Sequence, residues 1–306
     1  MNWLLLFEQT LNGVQLGVLL FLLAAGLTLV FGIMDLVNLA HGSLYMMGAY
    51  FCATLAKWTG SFLLGVLLAV PATVLLGIVV EMVTLRHLYV RDHLDQVLAT
   101  VGLILFFNEL VRLFWGPGSL TITLPPLING HINLLGIPYP TYRVMILLVG
   151  LAVALGLYLL VTRTRLGMLI RAGATNREMV SALGVDIRLL YTLVFGLGAG
   201  LAGLAGMLNA GIRTAEIGMG EEILIVSLVV IVIGGTGSIR GALVASLLVG
   251  LIDTLGRSFL PDMLKLVLPE QVASTAAPAL SSMMVYIIMA VVLVLRPQGL
   301  FPAHKG

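Results

Sequence analysis

The chain has 306 residues, of which 60% are hydrophobic and 10% are charged, and its formal net charge is +2. Runs of about 20 apolar residues, the length that crosses a lipid bilayer, recur throughout the sequence. This composition excludes a soluble globular enzyme and a nucleic-acid-binding domain, because it leaves no soluble surface for a cleft or a basic patch. It predicts an all-α polytopic membrane protein with one transmembrane domain over residues 1–306.

Nine apolar segments are predicted, broken helices among them. They lie at residues 11–31, 42–57, 62–85, 94–114, 143–162, 189–210, 222–234, 239–256 and 279–295. An odd number of crossings places the two termini on opposite sides of the membrane. If residues 163–188 are cytoplasmic, the N-terminus is outside and the C-terminus, with Lys305, is inside. Ten of the sixteen Lys and Arg residues then lie inside, as the positive-inside rule requires.

The first apolar segment runs into a polar interruption at residues 32–42, bounded by Gly32 and Gly42. Asn38 and His41 within it are three residues apart and could share a helical face. One interpretation places them in the lining of a transport pathway, and the other has them cap the broken backbone. A histidine with no second histidine or cysteine nearby does not predict a metal site.

Charged residues inside the apolar segments are few. Glu109 and Arg112 are three residues apart, and we predict a structural ion pair between them, since a lone charge in mid-membrane costs about 2.5–3.5 kcal/mol. Glu81 and Asp253 lie near segment ends and are predicted to be interfacial. Isolated carboxylates of this kind do not favour a proton pathway.

Two segments predicted to lie outside are long. Residues 115–141 are rich in Pro and Gly and contain no Asp, Glu, Lys or Arg, and the second covers residues 257–278. Either they are simple connections, or they form a docking surface for a soluble partner, because loops of this length are commonly functional.

Residues 163–188 form the one long polar segment between two apolar runs. The segment holds five arginines: Arg163, Arg165, Arg171, Arg177 and Arg188. A basic loop between two spans belongs on the cytoplasmic side. We predict that it contains a short helix on which a soluble partner exerts force.

A second interruption follows residues 222–233, which as a helix reach about 18 Å against a hydrocarbon core of about 30 Å. The chain then meets the glycine-rich stretch 234–241 and a new helix starts. Matching interruptions in two halves of a chain indicate a transport site, and a helix that starts inside the membrane favours an anionic group such as a carboxylate. The predicted pathway residues are Asn38, His41, Gly42, Gly234, Gly235 and Gly237.

Small residues at spacing four predict close helix packing in lipid. One stripe is Gly198, Ala202 and Gly206, and another is Ala242, Ser246 and Gly250. We interpret both stripes as structural.

Several catalytic motifs are missing from the sequence. It contains no P-loop, no His-Glu-x-x-His and no Gly-x-Ser-x-Gly. We therefore predict a transporter subunit without its own ATPase site, catalytic residues, metal or cofactor. If transport uses ATP, partner subunits hydrolyse it.

Three stretches together resemble the LivH-type permease of branched-chain amino acid ABC importers: residues 26–50, 234–242 and 295–301. The resemblance covers essentially the whole chain. It implies an inner-membrane permease fold and a coupling loop at 163–188 that receives an ATPase subunit. The coupling residues that it implies are Arg171, Asn176, Arg177, Glu178, Leu183 and Gly184.

The resemblance also implies partners. They are a second permease of the LivM type, two ABC ATPase subunits, and an extracytoplasmic binding protein that delivers leucine, isoleucine or valine. Similar permeases serve systems for other amino acids, urea, amides or aromatic acids, and selectivity rests largely with the delivering protein. A second hypothesis is an ion- or proton-coupled secondary carrier of small amino-acid-like or amide solutes, which the scarcity of buried acidic residues disfavours.

Overall fold

The computed structural model describes residues 3–134 and 136–301. Within these ranges the chain forms eleven α-helices, a short 3-10 turn at Leu85–Leu88 and one two-stranded antiparallel hairpin. The helices are α1 (Trp3–Met34), α2 (His41–Thr59), α3 (Phe62–Val83), α4 (His93–Trp115), α5 (Thr141–Arg163), α6 (Arg165–Thr175), α7 (Arg177–Ala182), α8 (Ile187–Ala210), α9 (Met219–Gly234), α10 (Ile239–Lys265) and α11 (Glu270–Leu295). The strands are β1 (His131–Leu134) and β2 (Ile137–Pro140).

The predicted all-α membrane fold is confirmed, and each of the nine apolar segments lies on a helix. Seven helices of the described ranges are long and apolar enough to cross a membrane: α1, α3, α4, α5, α8, α10 and α11. The remaining two, α2 and α9, lie next to the interruptions of the chain, α2 after the first and α9 before the second. With 16 residues, α9 reaches about 24 Å, less than the hydrocarbon thickness, as predicted for the segment at 222–233.

The centre of the bundle is built on α1 and α8, whose residues are mostly buried. Glycines allow these helices to approach their neighbours closely. A Cβ atom on Gly26 of α1 would lie 2.7 Å from the carbonyl oxygen of Gly198 on α8, and one on Gly17 would lie 2.8 Å from that of Ser246 on α10. Glycine in a helix costs about 1 kcal/mol relative to alanine, so close backbone packing explains its use here. Both predicted small-residue stripes therefore serve helix packing.

The outer helices α3, α5 and α11 present exposed apolar side chains, such as Leu63, Leu148 and Val294. Exposed leucine and valine at this density suit contact with lipid tails. We call the end of the bundle that carries residues 163–188 the loop side, and the opposite end the far side.

Two long connections contain secondary structure beyond the apolar segments. The segment predicted as a connection at residues 257–278 is mostly helical, because α10 continues to Lys265 and α11 begins at Glu270. Residues 115–141 contain the β1–β2 hairpin, and Leu120 pairs with Ala215 in an isolated bridge. These backbone pairs satisfy polar groups that a proline-rich segment cannot satisfy within a helix.

Candidate functional site

The polar loop contains two helices, not the single short helix predicted. The side chain of Thr164 caps α6 by accepting from the Gly167 amide at 3.1 Å, and Asn176 caps α7 by accepting from the Met179 amide at 2.9 Å. Asp186 caps α8, accepting from the amides of Arg188 and Leu189. Thr164 and Asn176 each lie between two helices, at the end of one and the start of the next, whereas Asp186 only starts α8. In each case the side chain replaces a missing backbone partner.

The six predicted coupling residues are all exposed: Arg171, Asn176, Arg177, Glu178, Leu183 and Gly184. Two apolar side chains lie among them, Met179 at 62% exposure and Leu183 at 79%. Exposed apolar side chains beside charged ones on a protruding loop are typical of a protein contact surface.

The loop is anchored to the bundle by its buried residues. Gly173 of α6 faces Ile33 at the end of α1 and Leu190 in the first turn of α8, and Val180 is the buried residue of α7. Movement of α7 would therefore reach α1 through α6 and reach α8 directly.

A buried carboxylate lies where α8 meets the turn after α3. Glu81 is fully buried and accepts from Tyr89 Oη at 2.8 Å, from Thr192 Oγ1 at 2.8 Å and from Arg86 Nη2 at 3.1 Å. Hydrogen bonding to this carboxylate raises the pKa of Arg86, and burial followed by the same carboxylate raises the pKa of Tyr89. The sequence prediction that Glu81 is interfacial stays a prediction. Its burial against Thr192 could not be read locally, because Thr192 lies 111 residues away in sequence.

The first interruption is a buried turn between α1 and α2. Asp35 has a positive φ of 53°, and the Asn38 side chain accepts from the Ala40 amide at 3.1 Å. Asn38 thus caps the turn and lies outside the helix that begins at His41, so the two side chains do not share a helical face. The capping interpretation is supported for Asn38.

Three buried polar atoms here lack a hydrogen bond within the described part of the chain: Asn38 Nδ2 and both ring nitrogens of His41. The Leu23 carbonyl is close enough to interact with the His41 ring without meeting hydrogen-bond geometry. Buried polar groups are nearly always paired, so an unpaired set points to a missing partner or to a site.

The start of α2 lies within the thickness of the bundle. The ring of His41 reaches Gly26 of α1, which packs on Gly198 near the midpoint of α8. Gly42 meets Gly220, and a Cβ atom on either would overlap the carbonyl oxygen of the other. Gly220 is the second residue of α9. The first turns of α2 and α9 are therefore in contact inside the bundle, so the unpaired N-terminal amides of both helices lie at this meeting point.

Sequence reasoning paired the first interruption with residues 234–241, and it missed the link between α8 and α9 at residues 211–218. A usable signal was present. Gly218 and Gly220 precede Glu221 and Glu222, and acidic residues in the first turn mark the start of a helix.

The second interruption is a closed backbone turn on the loop side. Gly235 and Gly237 have positive φ values of 101° and 79°. The amide of Leu300 donates to the Ile233 carbonyl at 2.9 Å, and that of Phe301 donates to the Gly234 carbonyl at 3.0 Å. A Cβ atom on Gly235 would lie 2.9 Å from the Phe301 carbonyl oxygen. The tail after α11 thus donates hydrogen bonds to the last carbonyl groups of α9. This packing favours a structural role for Gly235 and Gly237. Their predicted role in the pathway stays a prediction.

The interrupted helices, the glycine-packed centre and the apolar outer faces define a multi-pass membrane protein of the transport class. A family model described as the branched-chain amino acid transport system permease component matches residues 9–293. The chain therefore belongs to this family of permease components, whose ABC systems also use ATPase and substrate-binding subunits.

Curated relatives of the chain are also branched-chain amino acid permease proteins. The chain is 31% identical over 274 residues to the high-affinity branched-chain amino acid transport system permease protein BraD of Pseudomonas aeruginosa, covering 84% of this chain and 88% of the relative. It is 30% identical over 276 residues to the corresponding protein LivH of Escherichia coli, covering 85% and 88%. A solved metal-chelate type ABC transporter in an inward-facing conformation aligns with a TM-score of 0.49 and 20% identity over 93% of this chain and 84% of that chain.

Proposed function

We propose that this chain is the transmembrane permease subunit of an ABC importer that moves branched-chain or related amino acids into the cytoplasm. The observation that carries the proposal is the form of residues 163–188. Two short capped helices expose a mixed polar and apolar surface, and their buried side is anchored to α1 and α8, the two central helices. A loop built this way suits a partner that pushes on the bundle.

The proposed orientation places the loop side in the cytoplasm, the N-terminus outside and the C-terminus inside, in a cell inner membrane. ATP would be bound and hydrolysed by two separate ATPase subunits, and this chain would hold no cofactor. A second permease of the LivM type and an extracytoplasmic binding protein would complete the system. The branched-chain substrate class is supported by the names of the relatives.

The mechanism that we propose is alternating access. Closure of the ATPase pair would move α7, and the central helices would follow through α6 and the first turns of α8. Reversing a 1:99 population of two states requires about 5.5 kcal/mol of differential binding, which ATP-driven closure of a partner supplies. Within this scheme the proposed pathway includes the meeting point of α2 and α9, with Asn38, His41 and Gly42.

The experiment replaces Arg177 and Glu178 together by alanine. Both side chains are exposed and no hydrogen bond of theirs holds the described fold together, so the permease should insert and fold normally. We expect at least about a tenfold loss of ATPase co-purification and of ATP-dependent uptake, since central contact residues often contribute about 1–2 kcal/mol each.

A matched control replaces Asp262 and Lys265, a second exposed pair of opposite charges, which lies on the far side. This variant should retain ATPase co-purification, which is the readout that the two variants share. Full co-purification and normal uptake in the Arg177 and Glu178 variant would refute the assignment of the loop.

A further inference from the structure

A wide cleft opens on the far side of the bundle, between the end of α2, the end of α4 and the segment that follows α4. Its volume is about 1060 Å³, at the upper end of the range for small-molecule sites. Its lining comes from residues 53–62 and 114–126. The cleft therefore has room for a ligand larger than a single amino acid.

Two tryptophans place the cleft at the membrane–water interface. Trp58 lies in the last turn of α2 and is 78% exposed. Trp115, the last residue of α4, donates from its indole nitrogen to Thr54 Oγ1 at 2.7 Å. Tryptophan is enriched at the level of the lipid headgroups. Lys57 is three residues beyond Thr54 on α2, about 4.5 Å closer to the far side, so its ammonium group lies at the level of the lipid phosphates.

Apolar side chains border the cleft where the bundle faces lipid. Leu63 in the first turn of α3 is 74% exposed, and Leu113 and Phe114 of α4 are 81% and 72% exposed. Inside the cleft, Phe62 is buried and packs edge-on against Tyr142 with 5.9 Å between ring centroids. A lipid molecule can therefore enter from the side and keep its acyl chains on apolar surface.

The charge of the cleft is positive. Lys57 is exposed, and it is the one charged side chain among the described residues that line the cleft. It forms no ion pair with any residue of the described ranges, whereas Lys265, the other lysine there, lies 4.0 Å from Asp262 and 3.5 Å from Glu270. Lysine binds phosphate as a point charge. A cationic headgroup, by contrast, would find no carboxylate in this lining.

The segment after α4 adds hydrogen-bonding groups. The backbone amides of residues 121–124 donate no hydrogen bond to another part of the described chain, and these residues belong to no helix or strand. Ile122 and Leu124 pack against the core, whereas the alternate residues Thr121 and Thr123 are exposed. Phosphate oxygens and hydroxyl groups can accept from such amides and threonine hydroxyls.

We infer that the cleft binds an acidic phospholipid of the phosphatidylglycerol type from the membrane leaflet on the far side. The phosphate pairs with Lys57, the headgroup hydroxyls bond to residues 121–124, and the acyl chains lie along Trp58 and Phe114. Phosphatidylcholine and phosphatidylethanolamine carry an ammonium group that the cleft leaves without a partner. The bound lipid holds the segment after α4 against the ends of α2 and α4. This inference goes beyond the proposed function and requires neither ATP nor the solute.

Photolabelling in a bilayer tests the inference on the assembled transporter. The complex is placed in nanodiscs of phosphatidylcholine that contain a small, equal amount of either phosphatidylglycerol or phosphatidylcholine with a photoactivatable acyl chain. Labelled peptides are identified by mass spectrometry. We expect the phosphatidylglycerol probe to label residues 53–62 and 114–126 at least about tenfold more than the phosphatidylcholine probe, since bonds to a charged group contribute this much to affinity. Residues 144–162 of α5, which contain no charged residue, should be labelled equally by both probes.

Three variants test the role of the ammonium group. Lys57→Gln should reduce labelling by the phosphatidylglycerol probe to the level of the phosphatidylcholine probe, and it should fold normally because Lys57 is exposed. Lys57→Arg keeps the positive charge and should keep most of the labelling. Lys265→Gln is the matched control, because it removes the same charge from a site that already has two carboxylates, and it should change nothing.

Four results would overturn the inference. Equal labelling of the cleft by both probes would show ordinary contact with bulk lipid. A preference for phosphatidylglycerol that persists in Lys57→Gln would place the selective site elsewhere. Labelling of α5 but not of the cleft would show that protein covers the cleft. Loss of labelling in the presence of soluble glycerol phosphate would show that the site takes a free phosphate ester and needs no acyl chain.

Discussion

Two buried polar clusters in this bundle differ in how completely their hydrogen bonds are made. Around Glu81, on the loop side, the carboxylate accepts from Arg86, Tyr89 and Thr192. Around His41, inside the bundle, three polar atoms have no hydrogen-bond partner within the described residues. A fully bonded cluster stabilises one arrangement, whereas unpaired buried groups lower stability and persist where function requires them.

The contrast assigns different roles to the first turns and to the middle of α8. The Glu81 cluster fixes the turn after α3 to the first turns of α8, next to the coupling loop, and Tyr89 stacks edge-on against Tyr191 at 5.1 Å. The His41 cluster lies beside Gly26 and the middle of α8, where two helices begin. We interpret the Glu81 cluster as a rigid connection between α8 and the turn after α3, and the His41 cluster as part of the solute pathway.

The largest expected effect on stability comes from disrupting the Glu81 cluster. Glu81→Ala removes the acceptor of three side chains, and we expect a loss of about 3 kcal/mol in stability, at the lower end for breaking a buried pair because Arg86 remains 30% exposed at its side chain. Thermal unfolding of the purified permease measures the loss. Asp253→Ala is the control, since it breaks the more exposed Asp253–Arg257 pair and should cost at most about 1 kcal/mol. Equal shifts in the two variants would show that the Glu81 cluster stabilises the fold no more than an exposed ion pair does.

A smaller effect is expected from Tyr89→Phe. This change removes one hydrogen bond to the carboxylate, at 2.8 Å, and keeps the ring against Tyr191. Bonds to charged groups contribute about 1.5–3 kcal/mol, and we expect the lower value because Arg86 and Thr192 still donate to Glu81. Unfolding midpoints of the single variants and of the double variant with Thr192→Val measure the coupling between the donors. Strictly additive effects would show that the cluster does not act as a unit.

The smallest effect on stability, and one of opposite sign, is expected at His41. His41→Leu replaces two unpaired nitrogens by an apolar side chain, so the folded permease should be equally stable or more stable by about 1 kcal/mol. Uptake should nevertheless fall at least about tenfold if the cluster serves the pathway.

Thr28→Val is the matched control for His41→Leu. Thr28 Oγ1 is also buried without a hydrogen bond in the described ranges, and it lies within the helix α1, outside the interruption that holds Asn38. This variant should gain stability and retain uptake. Normal uptake by the His41→Leu variant would contradict the role of the cluster in transport.

Much of the fold was predictable from the sequence because membrane helices follow from length and hydropathy. The short α9 and the small-residue packing of α8 and α10 were predicted from local patterns and are confirmed. The ion pair between Glu109 and Arg112 was predicted from their spacing and is confirmed.

What the sequence did not predict depends on contacts between distant segments. The pairing of Gly42 with Gly220, the burial of Glu81 against Thr192 and the closure of α9 by the tail at Leu300 each join residues far apart in the chain. The two interruptions contain similar glycine and polar residues. At the first, the starts of two helices meet, whereas the second is a turn that is hydrogen-bonded to the C-terminal tail. Local pattern cannot separate them, because the difference lies in the neighbours.

The most direct test of the account is uptake by the reconstituted permease. Radiolabelled leucine, isoleucine and valine are offered to proteoliposomes that contain the permease pair and the binding protein, with or without the ATPase subunits and ATP, and with or without a proton ionophore. The account predicts uptake that requires the ATPases and ATP and is insensitive to the ionophore. Uptake by the permease alone that the ionophore abolishes would contradict it.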